Sequence, residues 1–156
     1  MSHQSQPPHV DYQALADLRY QVRRFLRTRE VAARAAGVAP QQYVLLLQVK
    51  GLDGREPPTI RALAERLQTQ HHAVVQLVDR LAARDMVARR RDVRDRREVL
   101  VELRPAGEAV LRRLAGHSVA ELRTEGPALV SSLTRLVRKS ADGRTPLRTK
   151  RKGGVR

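Results

Sequence analysis

The densest charge in the chain falls on nine consecutive residues, Arg89-Arg90-Arg91-Asp92-Val93-Arg94-Asp95-Arg96-Arg97, with six guanidinium groups and two carboxylates. Planar forks of N–H donors suit phosphate oxygens, so this cluster predicts a polyanionic partner. Arg94, Arg96 and Arg97 are the candidates for reaching phosphates or a minor groove. About twenty residues upstream lies a group of a different kind: Thr69, Gln70, His71, His72, Ala73, Val75, Gln76 and Arg80. Gln76 can pair with adenine, and Ala73 or Val75 can touch a thymine methyl. His71 and His72 can donate to phosphates or base edges. One group clamps a backbone and the other reads bases, which is the chemistry of a protein that recognises double-stranded DNA.

Other chemistries find little support. Cysteine is absent, which removes disulfides, thiolate metal sites and thiol catalysis. A metal site would have to combine the five histidines with carboxylates. The adjacent His71 and His72 point about 100° apart on a helix and cannot readily share one ion. No Gly-rich phosphate loop, nucleophile–base pair or paired-carboxylate motif stands out, so neither catalysis nor a cofactor is expected.

Composition bounds the partner further. The chain has 156 residues, 41% of them hydrophobic, enough for one compact domain with helical arms. Its net charge of +15 is uneven. From Arg135 onward there are nine basic residues and one acid, so this end carries +8 and residues 1–134 carry +7. Such a balance favours nucleic acid. It also leaves an alternative open: a sequence-tolerant, basic nucleic-acid-binding or ribosome-associated protein in which the tail dominates. No apolar run approaches the roughly 18–20 residues needed to span a membrane. The polar N-terminus lacks a signal core, so the expected location is the cytoplasm, in association with the nucleoid.

The elements that must position these groups can be read from spacing. Residues 1–10 read as a flexible leader. Leu15, Leu18, Val22, Phe25 and Arg29 step by three and four, which predicts a helix from Asp11 to about 36, with Gly37 as its stop. Pro40 opens a second helix, apolar almost all round and therefore central. Gly51 to Pro58 is a loop. Thr59 caps a short helix bearing Ile60, Leu63, Ala64 and Leu67. After Gln68-Thr69-Gln70, another helix from His71 turns Val74, Leu77, Val78 and Leu81 inward. Two β-prone stretches, 87–91 and 98–103, flank the charged segment as a hairpin. Pro105 opens a further helix, Gly126-Pro127 breaks it, and a short last helix follows. Residues 140–156 are basic, almost without apolar content, and expected to be disordered.

Short helix, tight turn, helix and basic hairpin make a winged helix-turn-helix. Ala64 is the small residue at the helix crossing. Gln68 stands where such turns often carry Gly, at a cost of about 1 kcal/mol if the backbone is left-handed there. The fold class is therefore mainly α with a small β-hairpin wing. The domain spans 11–139, with a DNA-binding core at 57–104 and dimerisation helices at 11–36 and 105–139.

Thr59-Ile60-Arg61-Ala62-Leu63-Ala64-Glu65-Arg66-Leu67, Leu77-Val78-Asp79-Arg80-Leu81, Asp95-Arg96-Arg97 and Leu103 to Gly107 together resemble the MarR family of bacterial transcriptional regulators. The resemblance is most specific across 59–114. Asp85 departs from it, where the family usually has Gly, and so does Arg104, where it often has Thr. The resemblance implies a transcriptional regulator, in the usual case a repressor, that binds a pseudo-palindromic operator as a homodimer. It also implies that Asp95 orients an Arg and that a small phenolic compound or aromatic acid releases the DNA. Tyr20, Arg24, Tyr43 and Leu47 are the residues that would line the ligand's cleft.

Overall fold

The computed structural model describes residues 10–142, with side chains through Arg138. The expected leader before Val10 and the basic tail beyond Asp142 lie outside the described residues. Helix α1 spans Tyr12–Ala35 and starts where the Asp11 carboxylate accepts the Ala14 N–H at 2.9 Å. It ends at Gly37, whose φ of +78° reverses the chain. Arg84 Nη1 donates to the Gly37 carbonyl at 2.8 Å and fastens this corner to a distant part of the chain.

Helix α2 spans Pro40–Leu52, and the Gln42 side chain turns back to accept the Ala39 N–H at 2.9 Å. It is two residues longer than the loop expected from Gly51 allows. The reason is Leu52, which is buried and draws a last helical turn into the core. Tyr43, Leu45, Leu46 and Val49 of α2 are also buried and place this helix at the core, but its apolar Val44 and Leu47 lie on an exposed face, so the enclosure expected from the sequence is not complete.

Thr59 Oγ1 accepts the Ala62 N–H at 3.1 Å and caps α3, Ile60–Leu67. Gln68 follows in the left-handed region, φ 51° and ψ 46°, so the turn keeps the shape for which glycine is usual. Its side-chain Nε2 donates to the Glu65 carbonyl at 2.7 Å, which offsets part of the conformational cost. Helix α4, His71–Ala82, buries Val74, Leu77, Val78 and Leu81. Strands β1, Val87–Arg91, and β2, Val99–Leu103, pair antiparallel, with Val87 opposite Leu103 and Arg91 opposite Val99. A contact the sequence does not announce extends this ribbon. Thr59 bridges Leu100, and Val101 N–H donates to the Pro58 carbonyl at 2.9 Å.

Helix α5 runs unbroken from Pro105 to Asp142. The break expected at Gly126-Pro127 and the separate last helix are therefore absent, and the helix passes the boundary expected at 139. Pro127 lacks an N–H for the Arg123 carbonyl. Both residues are exposed, so water can satisfy that group. Ion pairs to α1 hold α5 on either side of the proline: Arg24–Glu125 at 2.6 Å, and Arg135 with Asp11 and Asp17 at 3.5 Å each. These contacts make α1 and α5 an antiparallel pair. No helix among the described residues is long and apolar enough to cross a membrane.

The two departures from the family pattern meet each other. Asp85 adopts φ +53°, the conformation glycine would take, and its carboxylate accepts from Arg104 Nε at 3.2 Å. Gly107 has a separate steric role. A Cβ built there would lie 2.1 Å from the Met86 carbonyl oxygen, so the first turn of α5 can cross the chain entering β1 only without a side chain. Gly107→Ala is expected to destabilise the protein by about 3 kcal/mol, the upper end for overpacking because the obstructing atom is backbone. Urea denaturation midpoints would measure the loss, and an unchanged midpoint would contradict this close approach.

Candidate nucleic-acid interface

Helix α4 divides cleanly. Its inner residues fill the core, while His71, His72, Gln76 and Arg80 are exposed and Ala73 and Val75 are half-buried between the two faces. The same 3.6-residue period produces both faces, because Val74, Leu77, Val78 and Leu81 recur at intervals of three and four. Thr69 is half-buried in the turn, and Gln70 is exposed at the N-cap. The Gln70 side chain makes no capping hydrogen bond, unlike Asp11 on α1 and Thr59 on α3. The first turn of α4 thus starts without a side-chain acceptor of its own, the condition in which a helix start can receive a phosphate oxygen.

The wing separates two populations of arginine. Arg89 and Arg90, near the base of β1, are paired. Arg89 Nη1 lies 2.5 Å from Asp79, and Arg90 Nε lies 2.6 Å from Glu102. Arg91, Arg94, Arg96 and Arg97 are exposed and make no ion pair among the described residues. The carboxylates between them are engaged with backbone. Asp92 accepts the Arg94 N–H at 2.8 Å and Asp95 accepts the Arg97 N–H at 2.9 Å. Asp95 therefore shapes the turn through a main-chain amide rather than through a guanidinium group. The outcome is a tip whose acids are bonded to main-chain amides and whose cations are available to an anion.

Arg89 is the positioning residue that the sequence does not single out. Besides its pair with Asp79, its Nη2 donates to the Val75 carbonyl at 3.3 Å. Val75 and Asp79 lie one turn apart, so Arg89 grips α4 at two points and fixes the wing to it. Among six arginines in nine residues, nothing in spacing alone marks Arg89 as this one.

A second candidate site lies between α1, α2 and α5. A cleft of about 570 Å³ is walled by Phe25, Leu26, Tyr43, Val44, Leu47 and Leu122. Of the four expected lining residues, Tyr43 and Leu47 are there. Tyr20 is exposed and Arg24 pairs with Glu125, and neither lines the cleft. Arg29, which the cleft does include, is only 8% exposed. It pairs with Glu121 through Nη2, stacks over the Phe25 ring, and has no hydrogen-bond partner for Nε or Nη1. The signal in the sequence was its place on the apolar stripe of α1, where a charged residue is out of character. Tyr43 Oη lies 3.2 Å from Ser118 Oγ in the same wall.

Comparison with known proteins agrees with this architecture. Residues 36–98 match the MarR family profile. Comparison with curated proteins finds no match. Among solved structures, AbsC of Streptomyces coelicolor, a MarR family transcriptional regulator, is 19% identical, with a TM-score of 0.67 over 86% of this chain and 95% of that one. MepR of Staphylococcus aureus, a transcription regulator of a multidrug efflux pump, is 15% identical, with a TM-score of 0.68 over 84% and 99%. BpsR of Bordetella bronchiseptica, whose DNA binding is regulated by 6-hydroxynicotinic acid, is 23% identical, with a TM-score of 0.60 over 88% and 99%. At these identities the likeness to each structure is one of fold.

The Asp79–Arg89 pair is half-exposed on both sides. A double-mutant cycle with Asp79→Ala and Arg89→Ala is expected to give a coupling energy of about 0.5–1 kcal/mol in urea denaturation. A coupling of zero would mean that wing and helix are not fastened here.

Proposed function

We propose that this chain, whose residues 36–98 match the MarR family profile, is a member of that family and a sequence-specific double-stranded-DNA-binding repressor of transcription. It acts in the cytoplasm as a homodimer on a pseudo-palindromic operator. The observation that carries this reading is the division of α4 into a core-filling face and an exposed face bearing Gln76, beside a wing tip whose Arg91, Arg94, Arg96 and Arg97 make no ion pair among the described residues. A helix so anchored can enter a major groove with Gln76 toward adenine, Val75 or Ala73 toward thymine methyls, and His71, His72, Thr69, Gln70 and Arg80 toward flanking phosphates and bases. Arg94, Arg96 and Arg97 then reach the phosphates alongside.

Two apolar surfaces support the dimer. Leu15, Val22 and Leu26 of α1, and Val119, Leu122, Val130, Leu133 and Val137 of α5, are exposed in the single chain. Repeated at helical spacing along two paired helices, they form a face that a second copy can cover. Two-fold symmetry would set the recognition helices about 34–36 Å apart, in successive major grooves.

The cleft supports release by a small aromatic or phenolic acid. Its walls are apolar, and its one buried cation retains two unmet donors. A flat ring bearing a carboxylate suits that combination, and 6-hydroxynicotinic acid, the regulator of BpsR, is such a compound. Helix α2 connects this cleft to the reading head. It lines the cleft through Tyr43, Val44 and Leu47, and Gln48 accepts from Arg66 Nε of α3 at 2.6 Å. A ligand that shifts α2 therefore moves the helix-turn-helix with it.

Selection from a random DNA pool at two salt concentrations tests the main reading. It should enrich an inverted repeat. Gln76→Ala should then relax discrimination at one base position per half-site by about 1–3 kcal/mol. Arg96→Ala should weaken all sequences alike and reduce the salt slope. No enriched motif would instead favour a sequence-tolerant nucleic-acid or ribosome-associated protein. For the cleft, Arg29→Met should leave DNA affinity intact but raise the concentration of aromatic acid needed for release by about tenfold, read by fluorescence anisotropy. Equal sensitivity in both proteins would remove Arg29 from the ligand site.

A further inference from the structure

At 84%, Val93 is more exposed than any other large hydrophobic side chain among the described residues. Single exposed valines are common and by themselves mean little. This one is set apart by how it is mounted. The hydrogen bond from Arg94 N–H to the Asp92 carboxylate, at 2.8 Å, closes a turn with Val93 at its centre. The adjoining turn is closed by Arg97 N–H on the Asp95 carboxylate at 2.9 Å. Two main-chain bonds seal the loop behind it: Asp92 N–H to the Glu98 carbonyl at 3.1 Å and Glu98 N–H to the Asp95 carbonyl at 3.0 Å. The apex of the wing is thus a built structure, and it presents an isopropyl group with no apolar neighbour to cover it.

The surroundings define what could cover it. Arg91, Arg94, Arg96 and Arg97 flank Val93 in sequence, and all four lack an ion pair among the described residues. The complementary surface must be apolar at its centre and anionic along its rims. A DNA minor groove has this form. Its walls are the C–H faces of deoxyribose, its rims carry phosphates, and its width of about 6 Å admits a side chain but not a helix. The 2-amino group of guanine projects from the floor at G·C pairs and is missing at A·T pairs, where the groove is also narrower and more negative.

We infer that Val93 is a specificity-determining residue, an apolar probe that packs into the minor groove beside each half-site and makes the wing select A·T pairs there. This rests on the DNA-reading proposal above and adds a second, chemically distinct mode of recognition to it. Gln76 distinguishes bases by hydrogen bonding in the major groove, whereas Val93 distinguishes them by whether the minor-groove floor leaves room for a methyl group. The arginines around it supply electrostatic attraction to the phosphate rims, to which Val93 adds apolar contact.

Inosine allows the two grooves to be separated, because an I·C pair shows the major groove of G·C and the minor groove of A·T. The full chain is titrated against its enriched operator by fluorescence anisotropy. The pairs outside each half-site are changed one at a time to A·T, I·C or G·C. At the wing position the wild type should bind A·T and I·C equally and G·C about tenfold more weakly. Val93→Ala, which withdraws two carbons from the groove, should lose about tenfold on A·T and I·C and become nearly indifferent among the three. Its salt slope and its preference at the Gln76 position should be unchanged, whereas Arg96→Ala should lower the slope. Val93→Thr keeps the shape and replaces a methyl with a hydroxyl, so it should fall between the two.

The inference is overturned if Val93→Ala behaves as the wild type on all three duplexes, or if it weakens all three equally. It is also overturned if I·C behaves as G·C, which would place the discrimination in the major groove. Failure of the DNA-reading proposal itself has a separate signature, the absence of any enriched operator for the wild type.

Discussion

The fold depends on burying one broad face of α2, while Val44 and Leu47 on its other face stay exposed. Leu45, Leu46 and Leu52 are almost wholly removed from solvent, and Tyr43 and Val49 nearly so. At about 1.5–3 kcal/mol per fully buried large apolar side chain, no other helix of comparable length contributes as much to the core. A helix buried in this way dictates the position of its neighbours. The C-terminal half of α1 and the N-terminal half of α5 close one side, and α3, α4 and β2 close another. Because α4 meets the core through one face only, its other face is left outward. Because α1 and α5 extend well beyond α2, their far ends have only each other, and the apolar residues there remain exposed in the single chain.

Charge is arranged around this frame with little left to chance near the head. Most acids on or beside the DNA-reading elements already have partners in the molecule. Asp79 pairs with Arg89, Glu98 lies 3.5 Å from Arg61, Glu102 pairs with Arg90, and Asp92 and Asp95 accept main-chain amides. These pairs are exposed and contribute little to stability. Their larger effect is electrostatic, since a carboxylate engaged with protein N–H groups repels phosphate less than a free one. At the wing tip, Arg91, Arg94, Arg96 and Arg97 are left without an ion pair among the described residues. Of the net charge of +15, +8 lies from Arg135 onward, and the wing segment 89–97 adds a separate local cluster of cations.

How much of this was legible in the sequence depended on the range of the interaction. Local chemistry read well. The Thr59 cap, the period of α4, the paired strands around the Arg-rich segment and the start of α5 at Pro105 all follow from contacts within a few residues. Features fixed by distant partners did not. Gly126-Pro127 carries a strong local signal to stop, but ion pairs to α1 on both sides hold α5 continuous through it. Gln68 and Asp85 look like poor residues for left-handed backbone, yet both adopt it. Gln68 is compensated by a bond to the Glu65 carbonyl and Asp85 by Arg104, 19 residues away. The Leu103 to Gly107 pattern was visible as a family mark, but its cause, the passage of α5 over the Met86 carbonyl, is a tertiary fact. Tyr20 and Arg24 were named for the cleft as an aromatic and a cation on α1. Only the packing reveals that Phe25 and Arg29, five residues on and so on another face of α1, are the pair that lines it.

Arg29 also shows that the two ends of the molecule are satisfied to different degrees. Around the wing and α4, Asp79, Glu102, Asp92 and Asp95 all have protein donors. In the cleft, a guanidinium group more than nine-tenths buried has one nitrogen paired with Glu121 and two with no partner. Each buried donor left unmet costs about 1–3 kcal/mol, so the arm carries an energetic deficit that an incoming acceptor can reduce. A carboxylate in the cleft would relieve it, and the relief is available only to a conformation in which α1, α2 and α5 admit the guest. Differential affinity of this kind is what a ligand requires to shift an equilibrium. The head, by contrast, gains most from an anion at the wing and the start of α4. The proposed acid and DNA would therefore draw on separate groups, and α2, which borders both regions, is the element through which each could affect the other.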